Sequence, residues 1–558
     1  MQPIRRGFVT VGGRQVHYRT AGSGPPVVLV PQSPTSAKTL DLQTATFAKR
    51  FTAIAIDVPG LGQSDPIPNV SPTVEDMAIC LADTLDALGI KRTALYGSHT
   101  GASICVEFGR RFPERTTQVM VDGYPIYTDA ERARRLASYF GSFDPRWDGG
   151  HLLWVWARYR EQYLFYPWNA PGRGTRAQIG MPDTAFLHRG AIDLLTAGNG
   201  YVRAYTAAYT FDAARAIREI TVPTVFLAYR DDPLTQAHGL LADLPDCCRI
   251  ERMPEDHDAG VARELELLTA VSNPGPAVTL PATGRLTDGI TRSYVDVADG
   301  QLALRQIGTG PGRPLVALPP APGSATRLSE RMAFLAADRP VLALDLPGCG
   351  DSDPFPAAVG SIGALTDPIE EALKTLGLDD CDLYGLNGGA FAALELGRRT
   401  PARSRRLIVE GLPFVEPGLR GELAERYASP IAVHDDGTHW LSLWHAVRSE
   451  QLFWPWYRQT EGAVRPIDPD LNPTALTEMV LSYMKHPANY DQVYRAVFAY
   501  DAQPAIEAQR DRIAFFAKES DVFFQATFQA ASDVGSPATQ LTNSALETAI
   551  AFRGALDV

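Results

Sequence analysis

Six short apolar runs punctuate the first half of the chain. They are "PVVLV" (Pro26–Val30), "FTAIAI" (Phe51–Ile56), "RTALY" (Arg92–Tyr96), "TQVMV" (Thr117–Val121), "VPTVFLA" (Val222–Ala228) and "CRIERM" (Cys248–Met253). Each has the length of a strand, and most are near-continuously apolar rather than alternating. Helical patterns separate them: "VEDMAICLADTLDALG" spaces its apolar positions as a helix does and stops at Gly89, a residue suited to a helix C-terminus. Apolar strands alternating with helices predict an α/β, doubly wound, mostly parallel sheet covered on both faces.

The alternation is interrupted once. Between Val121 and Val222 lies a long insertion containing "HLLWVWARYREQYLFYPW" (His151–Trp168), helical in pattern and dense in aromatic side chains. It is too long and too apolar for a loop, and predicts a helical cap over the strand ends, residues 124–216 in extent.

The whole pattern then returns. "FTAIAIDVPGLGQSDPI" is matched by "RPVLALDLPGCGDSDPF", and "TALYGSHTGASICVEFGRRFPER" by "CDLYGLNGGAFAALELGRRTPAR". Asp57 matches Asp345, His99 matches Asn387 and His151 matches His439, each pair 288 residues apart. A constant offset over this distance predicts a duplicated domain rather than a solenoid of short repeats. The expected domains are 1–272 and 287–558, joined by the Pro/Gly/Thr-rich linker 273–286, with a second cap over 412–504. The two halves are expected to pack as an intramolecular pseudo-dimer.

Composition narrows the function classes. A chain of 558 residues is too long for one core, and its 45% hydrophobic and 21% charged content is that of an ordinary globular protein. A net charge of −12 without a Lys/Arg cluster argues against a nucleic-acid partner. No apolar run is long enough for a signal peptide or a bilayer span, so no membrane association is expected. Six cysteines without a C-x-x-C pair fit a reducing cytoplasm, and ten histidines without an H-x-x-H or H-E-x-x-H pattern give no metal site. No cofactor is expected.

Candidate chemistry centres on "YGSHTGA" (Tyr96–Ala102). Gly97 and Gly101 flank a central position as in the G-x-S-x-G nucleophile elbow, but that position is His99. Ser98 lacks glycines two residues away on either side, and Ser103 lies inside the following helical pattern, so neither is expected to be a nucleophile. Together "PQSPTS", "DVPGLGQSD", "GSHTG" and a late Asp–His pair make each half resemble an α/β-hydrolase with a helical cap. More narrowly, the first half is similar to a bacterial hydrolase-like group whose elbow reads G-x-H-T-G.

The resemblance implies roles for particular residues. The elbow side chain, His99, projects into the site, and the backbone N–H of Thr100 points at a developing oxyanion, with a second donor around Gln32 or Ser33. Asp232 in "FLAYRDDPL" resembles the triad acid and His257 in "MPEDHDAG" the triad histidine, whose tautomer the acid fixes; Asp231 and Asp122 are alternative acids. The second copy has Asn387 at the elbow, keeps Asp521 and has no later histidine, so it is expected to be a structural partner.

An imidazole at the elbow suits acid–base work near neutral pH. With His257 it can activate water for ester, lactone or C–C bond hydrolysis. The same residues can instead remove a proton next to a carbonyl, giving lyase, decarboxylase or cyclase chemistry; a non-catalytic ligand-binding protein is the third reading. His151, Trp154, Arg160 and Asp122 are the substrate-binding candidates, although aromatic residues at helical spacing mostly form core. A small hydrophobic carbonyl compound is the expected substrate.

Overall fold

The computed structural model describes residues 3–177, 179–235, 244–271, 275–286, 288–354 and 360–557. Residues 272–274 and 287, at the edges of the expected linker, and the terminal residues 1–2 and 558 lie outside these. The chain divides into two compact units: Met1–Asp144 with His151–Leu286, and Pro145–Gly150 with Thr287–Val558.

The first unit carries eight strands: β1 (Arg5–Val11), β2 (Arg14–Ala21), β3 (Pro26–Val30), β4 (Thr52–Ile56), β5 (Thr93–Ser98), β6 (Thr116–Asp122), β7 (Thr224–Ala228) and β8 (Cys248–Arg252). Their order is β1-β2-β4-β3-β5-β6-β7-β8. From β3 to β8 neighbours run parallel, while β2 is antiparallel to both β1 and β4. All six apolar runs are strands. In β3, β4 and β5 every residue is buried, as expected of strands covered on both faces. The leading hairpin β1–β2 was not among the expected elements; it turns at Gly12 and Gly13, both at positive φ, the backbone a two-residue hairpin turn requires.

Helices fill the connections. The helix Val74–Ala87 starts at a capping box, in which Thr73 accepts from the Asp76 N–H and the Asp76 carboxylate accepts from the Thr73 N–H. Between β6 and β7 the described residues form the α-helices Asp129–Ser138, Gly150–Glu161, Thr184–Ala197, Tyr201–Thr210 and Ala213–Glu219, which make the cap.

The second unit repeats the design with β9 (Thr291–Val297), β10 (Gly300–Ile307), β11 (Leu315–Leu318), β12 (Val341–Leu344), β13 (Cys381–Leu386), β14 (Ser404–Glu410), β15 (Ile513–Lys518) and β16 (Ala538–Leu541). The order β9-β10-β12-β11-β13-β14-β15-β16 matches that of the first sheet strand for strand. Its own helical insertion lies between β14 and β15. Among the described residues no helix is long and apolar enough to cross a membrane.

One turn in each sheet is packed so closely that only glycine fits. A β-carbon on Gly97 would lie 2.4 Å from the Gly101 carbonyl oxygen, and one on Gly101 would lie 2.1 Å from that of Val30. The helix Thr100–Arg111 therefore approaches β3 and β5 at backbone contact. Gly101→Ala should lower the unfolding midpoint by at least about 5 °C, since overpacking against rigid backbone costs several kcal/mol. Gly174→Ala, where an added β-carbon meets nothing within 4 Å, should leave it unchanged; thermal denaturation of both variants checks the pair.

Candidate active site

The close packing forces an unusual backbone on the residue at the turn. His99 caps the helix Thr100–Arg111 with φ 49° and ψ −107°, one of two non-glycine residues at positive φ among those described; the other is Asn387. A non-glycine residue is held there only when its surroundings over-determine it. The His99 N–H donates to the Asp122 carbonyl at 2.8 Å, which ties the turn to the end of β6.

The His99 ring is placed by an acid from across the sheet. Its Nε2 lies 3.0 Å from Oδ2 of Asp232. A carboxylate accepts there, so Nε2 carries the proton and Nδ1 keeps its lone pair in the neutral ring. Gly123 makes room for the pair: at φ +64°, a β-carbon on it would fall 2.3 Å from the Asp232 Oδ2 and 2.4 Å from the His99 Cδ2. Burial works against protonating the imidazole, but Asp232, through its charge and hydrogen bond, and Asp122 hold its pKa above the ordinary histidine value.

Gln32, Ser33, His99, Thr100, Asp122, Asp231, Asp232 and His257 line one cavity of about 380 Å3. Gln32 and Ser33 follow β3, so the cavity sits at the C-terminal edge of the sheet with Thr100 at a helix N-terminus. The turn carrying Gln32 and Ser33 is anchored on both sides. Asp57 accepts from the N–H groups of Ala37 and Gln63 and pairs with Nδ1 of His17 at 2.8 Å. Burial would raise the Asp57 pKa, yet His17 and the two N–H donors hold it below the ordinary value. From the cap, Oδ2 of Asp193 accepts from the Ser36 N–H at 2.8 Å and from its hydroxyl at 3.0 Å.

Two expectations need correction. Asp232 pairs with His99 and not with His257: its Oδ2 takes His99 and its Oδ1 accepts from the Leu234 N–H at 2.7 Å. His257 instead begins the helix His257–Thr269 as an exposed residue at the cavity wall. The second correction concerns the cap. His151 is buried inside it, Trp154 stacks on Phe143 at 5.4 Å, and Arg160 pairs with Glu161 at 3.4 Å; none of the three lines the cavity. Asp122 lines the cavity, where its Oδ2 accepts from the hydroxyls of Tyr96 at 3.1 Å and Ser98 at 3.2 Å. Ser98 is thereby turned away from the cavity, and Ser103 is buried within its helix.

What the cap does supply is tyrosine. Tyr127, Tyr139, Tyr163, Tyr166, Tyr205 and Tyr209 line the cavity, and the Tyr127 and Tyr166 hydroxyls lie 3.0 Å apart. Arg135 sits 4.6 Å over both of those rings and stiffens the wall through cation–π contacts. The spacing of Tyr201, Tyr205 and Tyr209 along one helix was a readable signal for this face.

The other group that sequence reasoning missed is Glu264. It is fully buried, lines the cavity and accepts from the Tyr229 hydroxyl at 2.8 Å, while its second oxygen has no partner. Burial, with the nearby Asp122 charge, pushes its pKa up to about 8. Burial and the Asp232 charge push Asp122 up to about 6, against the opposing pull of His99. The cavity thus holds two acids whose pKa values are raised, Glu264 above neutrality and Asp122 below it.

No family model matches the chain. An uncharacterized protein of Mycobacterium tuberculosis is 33% identical over 132 residues, 24% of this chain and 38% of that protein. A zearalenone hydrolase of Cladophialophora bantiana is 29% identical over 126 residues, 22% of this chain and 48% of that protein. The chain therefore spans less than half the length of these curated relatives. Among solved structures, epoxide hydrolase A of Mycobacterium thermoresistibile matches 49% of this chain and 99% of its own, at 17% identity and a TM-score of 0.38. By strand order and elbow, each unit has the α/β-hydrolase fold.

The buried acid gives a test of the site's electrostatics. The folded-state pKa of Glu264 is raised, so between the ordinary glutamate value and about 8 the folded chain holds a proton that the unfolded chain has lost. Stability therefore falls as pH rises through that window. Glu264→Gln removes this dependence, and its unfolding midpoint relative to the wild type should rise by at least about 2–4 °C between pH 5 and pH 8. A difference that stays flat in calorimetry would count against a buried, proton-holding Glu264.

Proposed function

We propose that the first unit is a cofactor-independent hydrolytic enzyme acting on a small hydrophobic carbonyl compound, an ester or lactone, with His99 as general base in place of a serine nucleophile. The observation that carries this reading is the 3.0 Å contact between His99 Nε2 and Asp232 at the elbow. It leaves Nδ1 as the basic nitrogen of a ring that lines the cavity. A water held by that nitrogen loses its proton as it attacks the carbonyl, and Asp232 stabilises the imidazolium that forms. The Thr100 N–H, together with a donor from the Gln32–Ser33 turn, stabilises the oxyanion, and the imidazolium returns its proton to the leaving group.

The tyrosine-walled cavity suits an apolar, aromatic substrate body. A zearalenone hydrolase among the relatives supports hydrolysis as the reaction class. The chain arose, in this reading, by duplication of one domain, with the chemistry kept in the copy whose elbow reads G-x-H-T-G.

A panel of p-nitrophenyl esters and lactones, zearalenone included, tests the proposal. His99→Ala should lower kcat/KM by about 10²–10⁴-fold, and a fluorophosphonate probe should leave the protein unlabelled. Oxygen-18 from labelled water should appear in the acid product; product without the label, or stoichiometric labelling of a serine, would sink the mechanism.

The pH profile carries a separate expectation. Because the His99 pKa is raised, the basic form accumulates at higher pH than in an ordinary histidine, and kcat/KM should rise with pH as it forms. Asp232→Asn removes a carboxylate that holds the proton on, so the rising limb should move to lower pH while the rate falls. An unmoved limb would mean that another group titrates.

A further inference from the structure

The second unit has a cavity of about 260 Å3 in the corresponding place, lined by Asn387, Gly388, Asp521 and the turn Pro320–Pro322 that follows β11. Its elbow geometry is intact: Asn387 sits at φ 48°, and its Nδ2 donates to Oδ2 of Asp521 at 3.0 Å and to the Gly411 carbonyl at 3.2 Å. Three ionisable groups of the first cavity are replaced, while Asp122 keeps an acidic counterpart in Glu410. At the 288-residue offset, His99 becomes Asn387, His257 becomes Ala545, and the buried Glu264 becomes Phe552, which packs on Tyr384 at 5.0 Å.

In their place the cavity has gained positive charge. Arg327, Arg331, Arg465 and Lys518 all line it. Their counterparts in the first unit are uncharged at neutral pH. Thr39 and Gln43 stand at the 288-residue offset, and Tyr229 follows from the alignment of "FLAYRDD" with "FFAKESD". Ala177 follows from the bridges Phe165–Arg176 and Phe453–Val464, which precede it and Arg465 by one residue.

Two of these cations are committed within the protein. Arg331 binds Glu410 and the Tyr384 hydroxyl. Arg465 donates to the carbonyl oxygens of Glu450 at 2.7 Å and Ser520 at 2.6 Å. Arg327 and Lys518 make no side-chain hydrogen bond or ion pair among the described residues. Lys518 is half-buried, and its burial together with the charges of Arg331 and Arg327 holds its pKa below the ordinary lysine value, against the pull of Glu410 and Asp521. Like charges facing one another across a partly desolvated space repel, and an anion placed between them removes that cost.

The anion's character follows from the rest of the wall. Three acids, Glu410, Glu450 and Asp521, also line the cavity, so four cations leave one positive charge in excess, which suits a monoanion. Trp454, Met479, Phe498 and Phe523 supply an apolar face. We infer that the second unit is a binding site for a small organic carboxylate with an apolar body, its carboxylate held between Lys518 and Arg327. This function is separate from the hydrolysis proposed for the first unit.

Titration calorimetry on the full chain tests it, with 4-phenylbutyrate as ligand, 4-phenylbutyramide as its neutral match and inorganic phosphate as a plain anion. The carboxylate should bind, the amide should not, and affinity should fall with added salt. Lys518→Met and Arg327→Met should each weaken one binding event by at least about tenfold, as loss of a charged hydrogen-bond partner does. Lys518→Arg should retain it, and unchanged circular dichroism certifies that the variants fold. Equal binding of acid and amide, binding of phosphate alone, or undiminished affinity in the Lys518→Met/Arg327→Met double variant would overturn the assignment.

Discussion

Everything at the candidate site depends on how closely one helix meets the sheet. The helix Thr100–Arg111 can start where it does only because Gly97 and Gly101 let backbone touch backbone. That approach leaves a single residue to make the turn, with φ near 49°. The side chain at this position is lifted clear of both the strand and the helix and faces the cavity. The fold thus fixes a place for a reactive group before it fixes which group stands there. Histidine in one unit and asparagine in the other occupy the same strained backbone.

What the reactive group does is then set by its acid. In both units a carboxylate from the turn after the penultimate strand reaches the elbow side chain at 3.0 Å, and in both a glycine at positive φ, Gly123 or Gly411, leaves the room for it. With an imidazole as the partner, the carboxylate selects a tautomer and favours a charge. With an amide, the same contact holds a group that cannot titrate. The chemistry of the two cavities diverges from that point, one toward shared protons and the other toward fixed positive charge.

The sheet was legible because burial on both faces leaves a nearly unbroken apolar run, as in Pro26–Val30. The elbow was legible because its glycines answer a steric demand that no other residue meets. The hairpin β1–β2 was less so: its residues alternate, and Gly12–Gly13 was the signal to read. Side-chain pairing was harder. Asp232 and His257 have the expected spacing, but sequence does not reveal that the elbow side chain, His99, is the partner the Asp232 carboxylate reaches. In the cap, periodicity marks a helix and not which of its faces meets the cavity, so Trp154 was chosen and Tyr205 and Tyr209 were not. Glu264 could have been seen, since it falls three residues after Val261 and four before Leu268, both buried, on the apolar face of its helix.

The link between Asp193 and Ser36 ties two parts of the machine that have different duties. Asp193 belongs to the cap helix Thr184–Ala197, and Ser36 to the segment that follows Gln32 and Ser33 at the cavity wall. Loss of this carboxylate would leave the Ser36 N–H and hydroxyl without the acceptor that joins them to the cap.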